Sequence, residues 1–225
     1  QNTHELRPTG GFAGSFGYVE LLDGQLSEHY IQDIYEIDGQ IQQYPPAPEP
    51  IAQYLSDGGK LHLQDAAWHP DFARSADQVL SLMARGGLQE VETLVAINLD
   101  FIEEVLRVTG PLYLTDYDVT VTSENIAEVA RADRVQFFAG SDAKSNFLNA
   151  LLTRLKLQLE QLPLEQKREI AAITARAVEI QDIQLFSRDE SMQQIWERWG
   201  AAGMVMVPEE GFFLLPVEAN VGVNK

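Results

Sequence analysis

Residues 91–114 read VETLVAINLDFIEEVLRVTGPLYL, and this stretch decides the fold class. The apolar residues of 91–97 predict a strand. Apolar positions recur at helical spacing through 100–108, where they form one face of a helix. Gly110-Pro111 ends that helix, and 112–114 is a second short strand. A strand, a helix and a strand in this order predict a β-α-β unit and an α/β or α+β fold.

The segments on either side extend the mixed pattern. Upstream, Asp23-Gly24 is a two-residue hairpin signal that predicts antiparallel strands at 16–22 and 25–37. Downstream, leucines in 142–162 and isoleucines in 165–180 recur at helical spacing. Because the connection between these two helices is short, they are predicted to pack antiparallel through those stripes. We therefore expect a mixed central sheet flanked by helices, with a long helical hairpin.

The composition limits the functions open to the chain. Its 225 residues carry 34 acidic against 16 basic side chains, a formal net charge of −18. Such a surface repels nucleic acid and anionic membranes, so an anionic ligand needs a local basic cluster. The absence of cysteine excludes disulfides, a thiol nucleophile and cysteine-based zinc sites. The sequence has no apolar run long enough to span a membrane, no signal peptide and no P-loop, dinucleotide-binding, nucleophile-elbow or HExxH motif.

The N-terminal stretch, residues 1–17, reads QNTHELRPTGGFAGSFG and is the first candidate site. Glu5 and Arg7 form an acid–base pair beside Pro8 and two glycines, which predicts a rigid turn with little side-chain cover. The guanidinium of Arg7 suits phosphate oxygens, and the carboxylate of Glu5 suits a divalent metal or holds that guanidinium. The alternative is a structural salt bridge that braces the turn.

The segment HPDF at 69–72 is the second candidate, and it comes just before a predicted helix. Asp71 either caps the N-terminus of that helix or binds a metal, with His69 and Asp65 as companion ligands. Arg74, in the first turn of the helix, is either a phosphate contact or a surface residue. These alternatives are open on the sequence alone.

Lys144 opens the helix predicted from 142. A lysine is unfavourable at a helix N-terminus, which indicates an anion nearby, either Asp142 or a phosphate ligand. The alternative is a solvated lysine paired with Asp142. Lys60 and His62 alternate on a predicted strand, and we expect them on an exposed face.

Three motifs in this order resemble a bacterial family catalogued as a domain of unknown function: ELRPTGGF at 5–12, HPDF at 69–72 and VTGP at 108–111. The resemblance extends over essentially the whole chain. This family is in turn similar to the LytR–CpsA–Psr phosphotransferases of the bacterial envelope. Two positions depart from the family pattern, because Ala67 stands where an asparagine is usual and Ala143 where an arginine is usual.

The resemblance implies a single extracytoplasmic domain over 1–225 with the LytR–CpsA–Psr-like layered plan and the helical hairpin 142–180 as a sub-lobe. It also implies that this segment belongs to a longer chain, tethered to the membrane by a helix outside the segment. The implied ligand is a polyprenyl-pyrophosphate lipid or an envelope glycan. The implied reaction is the transfer of a phosphoryl-linked glycan.

Roles for the candidate residues follow from the resemblance. Glu5, Arg7 and Asp71 are the expected catalytic residues, and Glu5 and Asp71 are the expected ligands of Mg²⁺. Arg7, Arg74 and Lys144 are expected to bind and neutralise the phosphates. The competing hypothesis is a non-catalytic binding or scaffolding module of the envelope, which the two alanine substitutions favour. The hypotheses differ in whether these residues converge on one cleft.

Overall fold

The computed structural model describes residues 13–88, 91–129 and 142–205, and of 142–144 only the backbone is described. The described residues form helices and short antiparallel strands, so the predicted mixed α/β class is confirmed. No helix among them is both long and apolar enough to cross a membrane.

Helices and strands are interspersed along the chain. In order, the elements described over their full length are β1 (Ser15–Leu22), β2 (Gln25–Asp33), α1 (Ile34–Asp38), α2 (Glu49–Tyr54), α3 (Phe72–Arg85), β3 (Thr93–Ile97), α4 (Leu99–Thr109), β4 (Leu112–Leu114), β5 (Val119–Val121), α5 (Asp142–Gln161), α6 (Leu164–Glu179), β6 (Ile183–Ser187) and α7 (Glu190–Arg198). Short 3₁₀ turns occupy Leu63–Asp65 and Thr115–Tyr117.

The chain divides into two compact units. The motif unit, named for the HPDF segment, comprises the described residues 13–14, 34–88, 91–98 and 178–205. The hairpin unit, named for β1 and β2, comprises 15–33, 99–129 and 142–177. Each unit buries its own set of apolar side chains.

The β1–β2 hairpin confirms the turn predicted at Asp23-Gly24. Both turn residues have a positive φ, 51° and 75°, as the two-residue turns that join twisted antiparallel strands require. The strands pair from Ser15↔Asp33 to Leu22↔Gln25. β2 ends at Asp33, earlier than the predicted end at 37, because the chain there turns into α1.

Strand pairing differs from the predicted β-α-β unit. The described strands form three antiparallel pairs, β1 with β2, β3 with β6 and β4 with β5. β3 and β4 therefore belong to different sheets, one in each unit, and α4 does not join neighbouring parallel strands. The reason is local, because residues 115–118 are all that separate β4 from β5. Closing such a short loop costs less entropy than pairing with a distant strand.

The VTGP segment at 108–111 ends α4. Gly110 is left-handed, with a φ of 79°, and its N–H donates to the carbonyl of Leu106 at 2.9 Å, which is a common helix stop. Gln158 and Gln166, from the next two helices, donate at 3.2 Å to the last carbonyls of α4. Helix-end carbonyls need such partners, so this motif has a structural role in the hairpin unit.

The core of the hairpin unit is formed by α4, β4, β5 and the start of α5. Its buried side chains are Leu106, Leu112, Leu114, Val121, Ile126 and Phe147. Leu148, Leu151 and Leu155 pack against this core, so the leucine stripe of α5 is confirmed as a packing surface. The leucine stripe thus packs against this core, whereas the predicted partner was the isoleucine stripe of 165–180. That stripe is more open, and Ile180 at its end is 55% exposed.

In the motif unit, α1 and α3 approach each other closely at one glycine. A Cβ at Gly86 would lie 2.4 Å from Cγ2 of Ile37 and 2.7 Å from its carbonyl oxygen, so only glycine fits there. Around this contact the core contains Ile34, Ile51, Leu63, Phe72, Leu80 and Leu82. This core holds the C-terminal end of α1 and the N-terminal end of α3, and each end carries a cluster of polar side chains.

Candidate functional site

The HPDF segment forms the N-terminal cap of α3. Asp71 has an extended backbone (φ −79°, ψ 121°), and its Oδ1 accepts the N–H of Arg74 at 3.2 Å. Phe72 follows as the first helical residue and is buried. An acid at this position satisfies an N–H that the helix leaves unpaired, and it interacts favourably with the helix dipole. The capping role predicted for Asp71 is therefore confirmed.

The same corner is tied to the chain segment that follows α7. Oδ2 of Asp71 receives a long contact of 3.4 Å from the N–H of Val205, and the N–H of Phe72 donates to the carbonyl of Gly203 at 3.1 Å. Gly203 has a φ of 57°, and a Cβ there would lie 2.7 Å from Cβ of Phe72. Both oxygens of Asp71 thus face backbone N–H groups.

Two N–H donors of other residues lie close to the imidazole of His69, but a neutral imidazole has only one nitrogen that can accept. Its Nδ1 lies 3.0 Å from the backbone nitrogen of Asp71, and its Nε2 lies 3.3 Å from Nη1 of Arg74. A neutral imidazole accepts at one nitrogen and donates at the other, whereas guanidinium only donates. Because the backbone contact is shorter, we assign the acceptor role to Nδ1 and the proton to Nε2. Nε2–H and the guanidinium are then two donors side by side.

This pair of donors lacks an acceptor. Arg74 is exposed, and in the part of the chain that the structure describes its guanidinium contacts His69 and no carboxylate. Adjacent donors of this kind attract an oxygen of an anion, and they stand out on a chain with a net charge of −18. The carboxylate of Asp71 on the same turn opposes an anion, and its contacts with two N–H groups reduce that opposition.

The side chains of the other three predicted site residues are outside the described part of the structure. Glu5 and Arg7 are outside the described residues. Lys144 is in the first turn of α5, in the hairpin unit, where only its backbone is described. The structure therefore brings Asp71 and Arg74 together, and the convergence of all five residues stays a prediction.

A metal site built from the HPDF corner alone is not found. Among the described residues, no three His, Asp or Glu side chains gather as a metal ion would require. The predicted combination of Asp65, His69 and Asp71 is therefore wrong. The reason is that Nδ1 of His69 accepts a backbone N–H, and Asp65 is buried in the 3₁₀ turn. The pair Glu5 and Asp71 stays a prediction.

A second polar cluster, here named the connector clamp, consists of Asp38, Tyr44, Lys60 and His62. Asp38 ends α1 and is 5% exposed. Its Oδ1 accepts the N–H of Leu63 at 2.7 Å, and its Oδ2 lies 2.8 Å from Nδ1 of His62. The hydroxyl of Tyr44 lies 2.5 Å from the Asp38 carbonyl oxygen and 3.1 Å from Oδ2. One buried aspartate thus fixes both sides of the proline-rich connector.

The charge of Asp38 sets the protonation of its neighbours. Burial, and next the carboxylate of Asp38, raise the pKa of Tyr44 to about 12. Because a carboxylate only accepts, Nδ1 of His62 carries the proton and Nε2 is the acceptor of the neutral ring. The His62 and Tyr44 rings pack with centroids 4.5 Å apart, and Nζ of Lys60 lies 5.8 Å from the Tyr44 centroid. His62 therefore presents an acceptor, where His69 presents a donor.

The connector clamp is not predicted from the sequence. Lys60 and His62 are predicted on an exposed strand face, but Lys60 forms a single bridge with Pro46 and the His62 side chain is only 26% exposed. The prediction is wrong for His62 because its partner Asp38 is 24 positions away, and no local pattern links the two. One feature of the sequence could have indicated the clamp, namely the proline-rich segment 44–50. An extended connector of this kind has to be held in place by side chains outside it.

A surface groove of about 460 Å³ lies beside the end of β6 and along α7. Its charged lining residues are Arg188, Glu190 and Glu197. Nε of Arg188 donates to Oδ1 of Asp77 at 2.9 Å, so the charge left in the groove is acidic. The groove contains none of the predicted site residues, and its charge does not suit a phosphate.

Comparison with known proteins gives a family. No curated protein and no solved structure matches the chain. A family model described as "Protein of unknown function (DUF4012)" matches residues 1–134, which is more than half of the chain and includes the segments 5–12, 69–72 and 108–111. The predicted membership of a family of unknown function is confirmed. The chain belongs to the DUF4012 family of proteins of unknown function.

Proposed function

We propose that this chain is part of a membrane-tethered, extracytoplasmic protein of the bacterial envelope that binds a pyrophosphate-linked lipid or glycan. One observation supports the proposal. The exposed guanidinium of Arg74 contacts His69 and no carboxylate in the described part of the chain, and our assignment of the His69 proton to Nε2 makes the two adjacent donors. Arg7 is the further cation that the proposal assigns to the phosphate site.

Pyrophosphate suits this corner by its charge and its shape. The planar guanidinium of Arg74 presents parallel N–H groups that match two oxygens of one phosphate. The imidazole N–H of His69 adds a donor from the same side. The second phosphate needs another cation, which the proposal assigns to Arg7. A local basic cluster of this kind is the condition for any anion to bind a chain with a net charge of −18.

The proposal has a binding form and a transfer form. In the transfer form, Glu5, Arg7 and Asp71 would move a phosphoryl-linked glycan to an acceptor. Each oxygen of Asp71 receives one backbone N–H, from Arg74 at 3.2 Å and from Val205 at 3.4 Å. The alternative is the non-catalytic binding or scaffolding form, in which Asp71 holds the corner and the cations hold the ligand.

Mg²⁺ belongs to the transfer form only. The ion requires near-octahedral oxygen ligands. The described residues supply one of the two predicted carboxylates, Asp71, whose oxygens each receive one backbone N–H. The described residues on their own gather no metal site, and we assign no step to the ion.

Calorimetric titration with methylenediphosphonate, a soluble pyrophosphate analogue, tests the phosphate contact. Arg74→Ala should weaken binding about tenfold, equivalent to ~1.4 kcal/mol. Arg74→Lys keeps the charge without the planar fork and should give an intermediate affinity. The matched control is Arg107→Ala, because exposed Arg107 already pairs with Glu103 and Glu104. No binding by the wild type, or equal affinity in Arg74→Ala, contradicts the proposal.

Incubation with a polyprenyl pyrophosphate and Mg²⁺ separates the two forms. The binding form predicts retention of the lipid on the protein without release of phosphate. Release or transfer that is abolished by Glu5→Gln and Arg7→Ala, but not by Arg107→Ala, supports the transfer form instead.

A further inference from the structure

Ser75 is a polar residue on the buried face of α3. It is 1% exposed and lies on the same side of the helix as Phe72, Ala76 and Leu80, which are all buried. A hydroxyl in apolar surroundings costs free energy unless it forms a hydrogen bond. The partner of this hydroxyl therefore decides what Ser75 contributes.

The hydroxyl of Ser75 binds outside its own helix. A serine within a helix commonly donates to the carbonyl four positions earlier, which here is that of Asp71. Instead, Oγ of Ser75 donates to the carbonyl of His69 at 2.8 Å, six positions earlier. Because α3 begins at Phe72, this bond joins the helix to the segment that carries the imidazole.

His69 is thus held at its backbone and at its ring. Ser75 holds its carbonyl, and the N–H of Asp71 holds its Nδ1 at 3.0 Å. Pro70 follows it, and a residue before proline is restricted to extended backbone conformations. These contacts keep the ring in the orientation that places its Nε2 at 3.3 Å from Nη1 of Arg74.

We infer that Ser75 is the positioning residue of the donor pair formed by His69 and Arg74. Arg74 belongs to α3, as Ser75 does, whereas His69 precedes the helix. The hydroxyl of Ser75 ties the imidazole to the helix that carries the guanidinium. It thereby keeps the two donors side by side and favours the tautomer with the proton on Nε2. The role of Ser75 in phosphate binding rests on the proposed function, and its effect on the imidazole does not.

The start of α3 is held by a separate contact that does not involve His69. The N–H of Phe72 donates to the carbonyl of Gly203 at 3.1 Å. In the described part of the chain, Ser75 is the one side chain that is hydrogen-bonded to the backbone of His69. Loss of its hydroxyl should therefore leave the start of the helix in place and release the segment before it.

Nitrogen-15 spectra of His69, recorded without a ligand and with the ring neutral, test the inference. In Ser75→Ala the contact at Nδ1 should persist in only part of the molecules. The Nδ1 and Nε2 signals should then move towards each other, because the two tautomers mix. Ser75→Cys keeps a weaker donor and should give a smaller change. The matched control is Ser81→Ala, since Ser81 is also on α3 but its Oγ accepts from Arg188. Unchanged His69 signals in Ser75→Ala, or an equal change in Ser81→Ala, would overturn the inference.

Titration with methylenediphosphonate tests the consequence for binding. Ser75→Ala should weaken binding about threefold, less than Arg74→Ala, because both donors remain but are no longer held together. Ser75→Cys should give an intermediate affinity, and Ser81→Ala should bind as the wild type does. An unchanged affinity in Ser75→Ala would overturn the inference even if its imidazole signals moved. If the wild type itself does not bind, the proposed function fails, and the spectra alone decide whether Ser75 orients the imidazole.

Discussion

Asp71 and Asp38 are two aspartates of the motif unit, each at a helix end, and they differ in what surrounds them. Asp71 belongs to the HPDF segment and receives two backbone N–H groups, at 3.2 and 3.4 Å. Asp38 belongs to no motif, yet it is 5% exposed and receives one backbone N–H and two side chains within 3.1 Å. Asp71, in the HPDF segment, therefore has fewer and longer contacts than Asp38. A residue that stands out in the sequence does not for that reason contribute more to the structure.

The histidines beside these aspartates differ in a parallel way. Nδ1 of His69 accepts a backbone N–H, which leaves a donor at Nε2, whereas Nδ1 of His62 donates to Asp38, which leaves an acceptor. Of these two histidines, His69 therefore offers a donor to an anion and His62 offers an acceptor. The connector clamp holds the fold together through the buried Asp38.

The largest effect should come from the connector clamp. Asp38→Ala leaves the N–H of Leu63 and Nδ1 of His62 without their acceptor, and each such loss destabilises a buried site. The hydroxyl of Tyr44 loses Oδ2 but keeps the backbone carbonyl of residue 38. We expect the free energy of unfolding to fall by about 3 kcal/mol at pH 7, measured by urea denaturation. Asp38→Asn keeps the shape and should lose less. A loss below about 1 kcal/mol would show that the clamp is not a structural centre.

Asp71→Ala should have a smaller effect, about 1–2 kcal/mol, because it removes a helix cap and one long contact. Asp71→Ser keeps a capping oxygen and should recover most of the loss. The matched control is Asp189→Ala, since Asp189 caps α7 in the same unit without belonging to a motif. If Asp71→Ala destabilised the chain as much as Asp38→Ala, the contrast between the two aspartates would disappear.

The hydroxyl of Tyr44 should contribute about 1 kcal/mol, with a characteristic pH dependence. Its pKa is about 12 in the folded chain against an ordinary value of 10.0. Folding therefore favours the neutral hydroxyl, and this stabilisation is complete below pH 10 and is lost as the pH rises from 10 to 12. The difference in unfolding free energy between wild type and Tyr44→Phe, measured from pH 8 to 12, should shrink over that interval. A difference that does not depend on pH would exclude the contact with Asp38 as its source.

The features that the sequence predicted are local ones. The cap at Asp71 joins residues three positions apart, the turn at Asp23-Gly24 joins neighbouring residues, and the stop at Gly110 reflects one backbone conformation. Such features depend on steric and hydrogen-bonding rules within one turn of chain. They were found because the residues that make them are adjacent in the sequence.

The features that the sequence did not predict join distant segments. Asp38 meets His62 across 24 positions, and β3 pairs with β6 from the far end of the chain. The strand pattern of 91–97 is the same whichever partner it meets, so the β-α-β prediction identified the elements and misassigned their pairing. The proton position on His62 depends on its distant partner Asp38. The contacts of His69 are with near neighbours, Asp71 and Arg74, but residue types alone do not give the side-chain geometry that decides which ring nitrogen accepts, so the donor pair appears only in the structure.

The smallest effect concerns a single proton on each of two imidazoles, and it tests the comparison most directly. Nitrogen-15 spectra of the four histidines should show the neutral ring of His69 with its proton on Nε2 and the neutral ring of His62 with its proton on Nδ1. His69→Gln and His62→Gln assign the signals. Added methylenediphosphonate should shift the Nε2 signal of His69, because the phosphate accepts its proton, and should leave His62 unchanged. Arg74→Ala should reduce that shift, and Arg107→Ala should not. If His69 were protonated at Nδ1, the guanidinium of Arg74 would have its acceptor in Nε2, and the anion site would lose the observation that supports it.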